Sequence, residues 1–213
     1  MSPVGGLVVY AAGWVGFGAA HSLLAREPAK AWLKRACGRA MRLVWNLIAL
    51  VQFALLLWLG HAVVTPGAWA RPGWLVGAQM FAGFAGAVLM VAAARGYDMA
   101  RFAGIAQLRA PHTEDDEPFV AVGVQRFVRH PLYSATILLL AAIVSDVLGL
   151  ATLVFATAYI LIGLRFEEAA LLRRLGPVYA RYRARVPALV PWRGKRHTGR
   201  IEHQLTAQII FRP

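Results

Sequence analysis

Long apolar stretches alternate with short basic segments along this chain. No Asp, Glu, Lys or Arg occurs in the stretches 4–25, 43–64 and 74–94, and each has the roughly 20 residues that an α-helix needs to cross a bilayer. Glycines in the third stretch would let a neighbouring helix approach closely. The pattern therefore predicts three transmembrane helices with these bounds.

A fourth apolar stretch, 132–164, is too long for one ordinary span. The pair Ser145-Asp146 interrupts it and is typical of a turn followed by a helix N-cap. We therefore predict a tight hairpin of a short helix over 132–144 and a second helix over 147–168. A single, strongly tilted helix is the alternative.

Composition supports the same class of protein. Hydrophobic residues make up 59% of the chain and charged residues 15%, against about 45–50% and about 25% in a soluble domain. A nucleic-acid-binding domain can be as basic as this net charge of +13 but is not normally this apolar, so we expect no nucleic-acid partner. The single cysteine excludes a disulfide framework and a Cys-rich metal centre. We predict an all-α, polytopic membrane protein with five transmembrane helices.

The basic residues lie on alternate connections between the predicted spans. The segments 25–42, 95–129 and 165–213 carry 22 of the 23 Lys and Arg residues, and only Arg71 lies on the opposite face. The positive-inside rule then places the N-terminus outside and the C-terminus in the cytoplasm. Arginine dominates the basic residues, which hints at a GC-rich bacterial genome and hence at an inner membrane.

Residues 26–39 predict an amphipathic helix on the membrane surface, with Trp32 and Leu33 facing lipid and the basic side chains facing head groups. A simple positive-inside anchor explains the same residues equally well. The acidic run 114–117 predicts a solvated loop, and we expect no metal site there.

A first polar group on the predicted cytoplasmic face is the run Arg129-His130-Pro131-Leu132-Tyr133. Proline suits the first turn of the fourth helix, where an N–H group is not needed. The free N–H groups of that helix start, with the arginine beside them, would form an anion site for a carboxylate or phosphate. An interfacial Arg/Tyr anchor is the alternative.

A second polar group is the pair Glu167-Glu168 at the cytoplasmic end of the fifth predicted helix. That helix can continue to Leu175 and stop at Gly176-Pro177, so the two carboxylates lie mid-helix at the membrane edge. Ionisable residues in such a position indicate function. The alternative is local pairing, across one turn, with nearby arginines of the same helix.

Tyr179 and Tyr182 follow in a short basic segment that would fold back as an aromatic lid. An anion site, a carboxylate pair and an aromatic lid together suit a zwitterionic ligand with an attached base, such as a nucleotide that contains an amino acid.

These residues resemble the integral-membrane methyltransferases related to isoprenylcysteine carboxyl methyltransferase and phospholipid methyltransferase. The motifs that carry the resemblance are Arg129-His130-Pro131-x-Tyr133, Glu167-Glu168-x-x-Leu171, Leu175-Gly176-x-x-Tyr179-x-x-Tyr182, Val186-Pro187 and Pro191. In the N-terminal half, the runs 21–25 and 104–109 look like the bacterial methanethiol S-methyltransferase branch. A run similar to residues 21–25, which read HSLLA, also occurs near the start of NnrU-like membrane proteins linked to denitrification.

The resemblance implies an enzyme that uses S-adenosylmethionine (SAM), bound by the cytoplasmic C-terminal region of one membrane domain over 1–192. A basic cytoplasmic tail would follow over 193–213. The implied cofactor-binding residues are Arg129, His130, Pro131, Tyr133, Glu167, Glu168, Tyr179 and Tyr182. The first two would hold the SAM carboxylate, one of the glutamates its amino group, and the tyrosines and the proline its adenosine. No general base is identified, and no metal is required.

The implied reaction is in-line methyl transfer to a small or lipophilic acceptor, in the first place a methanethiol-like or isoprenyl-type thiol. A phospholipid amine is the alternative acceptor within the same class. From other classes, a non-catalytic or haem-linked NnrU-like protein and a nicotinamide-dependent membrane reductase are the alternatives. The partners expected are therefore a small-molecule or lipid substrate and membrane lipid.

Overall fold

The structure is a computed structural model that describes residues 2–65, 67–109, 121 and 123–191. Over these residues it is helical and contains no strand, which confirms the predicted all-α class. The α-helices are α1 (Pro3–Leu24), α2 (Glu27–Cys37), α3 (Met41–Val63), α4 (Gly73–Ala94), α5 (Met99–Ala103), α6 (Ile105–Arg109), α7 (Pro131–Ala142), α8 (Val147–Leu175) and α9 (Pro177–Arg185). Short 3-10 turns cover Gly38–Ala40 and Gly123–Arg126.

Four helical stretches in the described residues are long and apolar enough to cross a membrane, as in an integral membrane protein. Three of them are the helices α1, α4 and α8. The other is the continuous stretch Glu27–Val63, which includes α2 and α3. The fourth predicted span appears as α7, a shorter apolar helix of 12 residues. Its rise is about 18 Å at 1.5 Å per residue, less than the roughly 30 Å of a hydrocarbon core.

The hairpin predicted from Ser145-Asp146 is confirmed. Helix α7 ends at Ala142 and α8 begins at Val147. The carboxylate of Asp146 accepts a hydrogen bond of 2.7 Å from the N–H of Gly149, which is the N-cap arrangement. Helix α8 then runs without a break to Leu175, so both glutamates lie within it as predicted.

The turn of this hairpin is bonded to the connection between α3 and α4. The N–H of Trp69 donates to the carbonyl of Ser145 at 2.9 Å. The Gln79 amide donates to the carbonyl of Val144 at 2.6 Å, and Arg71 donates to the Gln79 side chain at 2.9 Å. Arg71, which the topology prediction places on the face opposite all other basic residues, therefore stabilises the hairpin turn.

The chain forms two compact units. Of the described residues, those within 1–79, 98–117 and 143–159 form one unit, and those within 80–97, 118–142 and 160–213 form the other. The single domain expected over 1–192 stays a prediction, and the tail 193–213 lies outside the described residues.

In the first unit, α1 and α3 approach each other at glycine. A Cβ atom at Gly6 would lie 2.1 Å from the carbonyl oxygen of Val63, so a side chain has no room there. Tyr10 and Trp14 on α1 are buried, and the Tyr10 hydroxyl lies 2.9 Å from the hydroxyl of Thr152 on α8. Small residues and buried aromatic rings thus join these helices.

Helix α2 confirms part of the surface-helix prediction and corrects the rest. Trp32 is 63% exposed, as expected for a side chain that faces lipid, but Leu33 is only 2% exposed. The prediction that Leu33 faces lipid is wrong, because its side chain points to the side of α2 that packs against the neighbouring helices α1 and α3.

In the second unit, α4 and α7 pack at small residues. A Cβ atom at Gly86 would lie 3.1 Å from Leu138 and 3.2 Å from the carbonyl of Ala135, and one at Gly83 would lie 3.2 Å from Ala142. This confirms the close helix contact expected at two of the glycines in the third apolar stretch.

Candidate functional site

The second unit buries one carboxylate among three basic side chains. Glu168, in the last third of α8, has a side chain that is 7% exposed. Its Oε1 atom accepts from Nε of Arg129 at 2.7 Å and also from Nη2, and it lies 3.3 Å from Nε2 of His130. Its other oxygen lies 3.3 Å from Nε of Arg183 on α9. A charge this deep needs such partners, because burying it unpaired is costly.

The partners of Glu168 come from distant parts of the chain. Arg129 precedes α7 and Arg183 lies on α9, whereas the sequence alternative was pairing with arginines of the same helix turn. The buried carboxylate therefore joins the start of α7, the last third of α8 and α9.

Arg129 is engaged by groups of the protein itself. Besides Glu168, its Nη1 donates to the carbonyl of Arg183 at 3.0 Å and to the carbonyl of Val186. Its side chain is buried. The sequence predicted this guanidinium as the anion-binding group, and the structure gives it internal acceptors instead.

The segment after α9 lies along the start of α7. The N–H groups of Arg129 and His130 donate to the carbonyls of Pro187 and Ala188 at 2.9 and 3.0 Å. The hydroxyl of Ser134 donates to the carbonyl of Leu189 at 2.6 Å. Pro131 begins α7 as predicted, but the two N–H groups that precede it bind this segment.

Glu167 has a different environment from its neighbour. Its side chain is 44% exposed, and its Oε2 accepts from the Tyr133 hydroxyl at 2.7 Å. The same oxygen lies 3.8 Å from Nδ1 of His130. The rings of His130 and Tyr133 stack with centroids 5.4 Å apart and planes 8° apart. Glu167 is thus a positioned carboxylate that remains accessible.

Tyr179 and Tyr182 lie inside the second unit. Each is 1% exposed, and they form an apolar core with Val186. The Tyr182 hydroxyl donates to the carbonyl of Gln125 at 2.6 Å. Burial, reinforced by the charge of Glu168, raises the pKa of Tyr179 to about 12. Burial is also the main cause that raises the pKa of Tyr182 above its usual value, so both phenols are neutral at physiological pH.

Sequence reasoning missed two residues of this site. Arg183 was counted only as part of a basic segment, although it binds Glu168. Ser134 carries no charge and stands in an apolar run, so only its bond to the carbonyl of Leu189 identifies it.

An open pocket of about 430 Å³ adjoins the cluster. Arg129 and the segment 183–190, which includes Arg183 and Arg185, line it. The volume lies within the ~300–1,000 Å³ range of small-molecule sites. A lining that contains three arginines favours an anionic group on the ligand.

The part of the chain that the structure describes holds no group of three His, Cys, Asp or Glu residues suited to a metal ion. The acidic run 114–117 lies outside that part.

Comparison with known proteins identifies the family of this chain. The model of the NnrU protein family matches residues 9–165. The chain belongs to the NnrU family. The match covers about three quarters of the chain and ends just before Glu167, and the NnrU-like character expected of the N-terminal half is confirmed.

Several curated proteins resemble this NnrU-family chain. Methanethiol S-methyltransferase 2 of Bradyrhizobium diazoefficiens is 31% identical over 188 residues, which cover 82% of this chain and 69% of that protein. Methanethiol S-methyltransferase of Crocosphaera subtropica is 30% identical over 189 residues, covering 84% and 72%. The Mycobacterium tuberculosis protein of the same name is 39% identical over 88 residues, covering 38% and 36%. No solved structure matches the chain.

Proposed function

We propose that this NnrU-family protein transfers a methyl group from SAM to a small thiol. The observation that carries the proposal is its identity of 30–31% to two methanethiol S-methyltransferases over 82–84% of its length. The site in the second unit supports it, because its charges suit the amino-acid end of SAM.

The residues fit such a cofactor in the following way. SAM carries a carboxylate and an ammonium group. Arg183 offers a half-exposed guanidinium on the pocket wall to the carboxylate, and Glu167 offers an accessible carboxylate to the ammonium group. His130 and Tyr133 orient Glu167 through the 2.7 Å hydrogen bond and the stacked rings. Bound SAM would supply the activated methyl group.

In this proposal the other predicted cofactor residues position the groups that bind SAM. Glu168 holds Arg183 and Arg129, and Arg129 holds the segment after α9. Tyr179 and Tyr182 anchor α9, to which they belong, in the apolar core. Together they would keep the charged groups in one geometry and exclude water, and alignment with water exclusion is the main source of rate in direct methyl transfer.

We place the site at the cytoplasmic face of a bacterial inner membrane, with the N-terminus outside. The support is the share of basic residues, 22 of 23, on alternate connections. The bond between the turn after α7 and the connection after α3 supports a chain that passes five times through the membrane, since that connection lies opposite the basic ones.

Calorimetric titration of the detergent-purified protein with SAM tests the cofactor. We expect the parent to bind SAM and Glu167→Gln to bind it about tenfold more weakly, as for the loss of a charge-assisted hydrogen bond. Glu27→Gln on α2 is the matched control, because Glu27 is an exposed carboxylate far along the chain, and we expect parental affinity.

No binding by the parent at millimolar SAM would reject the methyltransferase and favour the non-catalytic NnrU-like alternative. Parental affinity in Glu167→Gln would reject only the role of that residue. The acceptor needs a separate comparison of methanethiol, a prenyl thiol and phosphatidylethanolamine. A methylated thiol detected by gas chromatography is expected, whereas a methylated phospholipid as the main product would establish the alternative acceptor.

A further inference from the structure

Helix α2 has one buried edge and two exposed flanks of different chemistry. Leu33 on the buried edge is 2% exposed, on the side where α2 packs against α1 and α3. Trp32 lies about 100° to one side of Leu33 around the helix, and Lys34 lies about 100° to the other. Both are exposed, and Ala36 and Lys30, four residues away from each, continue the two flanks. One flank is therefore apolar and the other basic.

Helices α5 and α6 belong to the same unit and pack beside α2. Helix α6 contacts the 3-10 turn that follows α2. The carbonyl of Phe102 on α5 accepts from Nε of Arg42 at 3.3 Å and from the amide of Asn46 at 3.0 Å. A Cβ atom at Gly104, between α5 and α6, would lie 2.6 Å from the backbone nitrogen of Leu43. The three short helices thus surround the start of α3.

Positive charge dominates this part of the molecule. We call residues 26–42 and 98–109 the basic platform. It carries eight Lys and Arg residues and only two acidic residues, which leaves six positive charges in excess. Both acidic side chains lie near basic ones of the platform: Glu27 is 3.5 Å from Lys30, and Asp98 is 3.9 Å from Arg101. The platform therefore offers its surroundings positive charge.

Large apolar side chains are exposed on the same platform. Helices α5 and α6 expose four of them by 40–49%, namely Met99, Phe102, Ile105 and Leu108. Trp32 on α2 is exposed as well, and α3, which follows at once, is part of a stretch apolar enough to cross a membrane. Basic and apolar side chains beside each other at the end of a membrane span are typical of a surface that lies among lipid head groups.

We propose that the basic platform binds anionic phospholipid, such as phosphatidylglycerol. The basic side chains would bind the phosphate groups, and Trp32 with the apolar side chains of α5 and α6 would insert between the acyl chains. In phosphatidylcholine an ammonium group balances the phosphate, so its attraction is weaker. Each basic residue near an anionic membrane strengthens binding about fivefold. A positive-inside anchor, in contrast, uses its charge during insertion and gives the folded protein no lipid preference.

The single cysteine, Cys37 at the end of α2, provides a probe on the platform. The full chain is labelled there with bimane and placed in phosphatidylcholine nanodiscs. Doxyl-labelled phosphatidylglycerol or doxyl-labelled phosphatidylcholine is then added at the same low mole fraction. We expect the anionic lipid to quench bimane with a quenching constant about five times larger, or more. High salt should reduce this preference, because salt screens exposed charges.

Matched variants test whether the charge of α2 is the cause. In Lys30→Gln/Lys34→Gln/Arg35→Gln we expect the preference to fall at least about fivefold or to vanish. Lys30→Arg/Lys34→Arg/Arg35→Lys keeps the charge and should keep the preference. With bimane at residue 67 in Cys37→Ser/Gly67→Cys, the two lipids should quench equally, because only Arg71 is basic on that connection.

Equal quenching by the two lipids in the parent would overturn the proposal and leave these residues as a positive-inside anchor. An undiminished preference in the glutamine variant, or an equal preference at residue 67, would also overturn it, because the charge of the whole protein would then be the cause. Where the glutamine variant does not fold, the comparison of the two lipids at the two labelled positions decides. The outcome is independent of SAM: a chain that prefers the anionic lipid but binds no SAM keeps the platform and loses the methyltransferase.

Discussion

Two neighbouring glutamates on α8 have the same side chain but differ in burial and in hydrogen-bond partners. Glu168 is buried against two arginines and a histidine, and Glu167 is accessible and bonded to a tyrosine hydroxyl. Consecutive residues of a helix point about 100° apart, so one rotation of α8 decides which of them supports the site and which faces a ligand. Only Glu167 keeps an oxygen available for a cofactor amino group.

The buried tyrosines make the protein less stable at alkaline pH. An unfolded tyrosine ionises near its usual pKa of 10, whereas Tyr179 in the folded chain stays protonated to about 12. Between these values the unfolded state binds fewer protons than the folded state, so stability falls as the pH rises. We expect the Tm in detergent, followed by near-UV circular dichroism, to drop between pH 10 and 12. Tyr179→Phe should drop less steeply, and an unchanged slope would contradict this origin.

At the scale of elements, close helix approach depends on single glycines. Gly6 places α1 against the backbone of α3, and a Cβ there would meet the carbonyl oxygen of Val63 at 2.1 Å. A carbonyl within α3 cannot move aside as a flexible side chain can. The crossing of α1 and α3 depends on this contact.

Gly6→Ala is therefore expected to destabilise the protein by about 2 kcal/mol through overpacking. Gly16→Ala is the matched control on the same helix, because a Cβ at Gly16 meets nothing within 4 Å and alanine is the better helix former. Thermal unfolding of both variants in one detergent provides the comparison. Equal Tm values for the two variants would show that the contact at Gly6 does not limit stability.

At the scale of the whole molecule, the charge distribution and the hairpin turn bear on one question, the number of membrane passes. Four helical stretches in the described part of the chain are long enough to cross a membrane, and α7 is short. Yet the turn after α7 is bonded to Trp69 and Arg71, in the connection that the positive-inside rule leaves outside. A helix as short as α7 can complete a membrane pass if the connection between α3 and α4, to which its turn is bonded, extends toward the end of that helix.

The single cysteine makes this topology testable. Cys37 belongs to α2, which we place at the cytoplasmic face. A membrane-impermeant maleimide should label it only after spheroplasts of the expressing bacterium are permeabilised. In the double variant Cys37→Ser/Gly67→Cys, labelling should occur on intact spheroplasts, because residue 67 lies on the opposite connection. The reverse pattern would invert the proposed orientation.

Local signals in the sequence predicted the elements well. The apolar runs gave the long helices to within a few residues, Asp146 marked the start of α8, and Gly176 marked its end. These features depend on hydrophobic length and on caps a few residues away, which any reader of the chain can see. The run 21–25 also indicated the NnrU family, which the match over residues 9–165 confirms, and the motifs around Arg129 and Glu167 indicated a membrane methyltransferase.

The partners within the site could not be read in the same way. Many arginines near Glu168 are equivalent in a sequence, and only the packing of α7, α8 and α9 selects Arg129 and Arg183. Burial has the same origin: Leu33 and the two tyrosines are buried because other helices pack against them. A helix is determined by its own residues, whereas the pairing of a buried charge is determined by the rotation and docking of several helices at once.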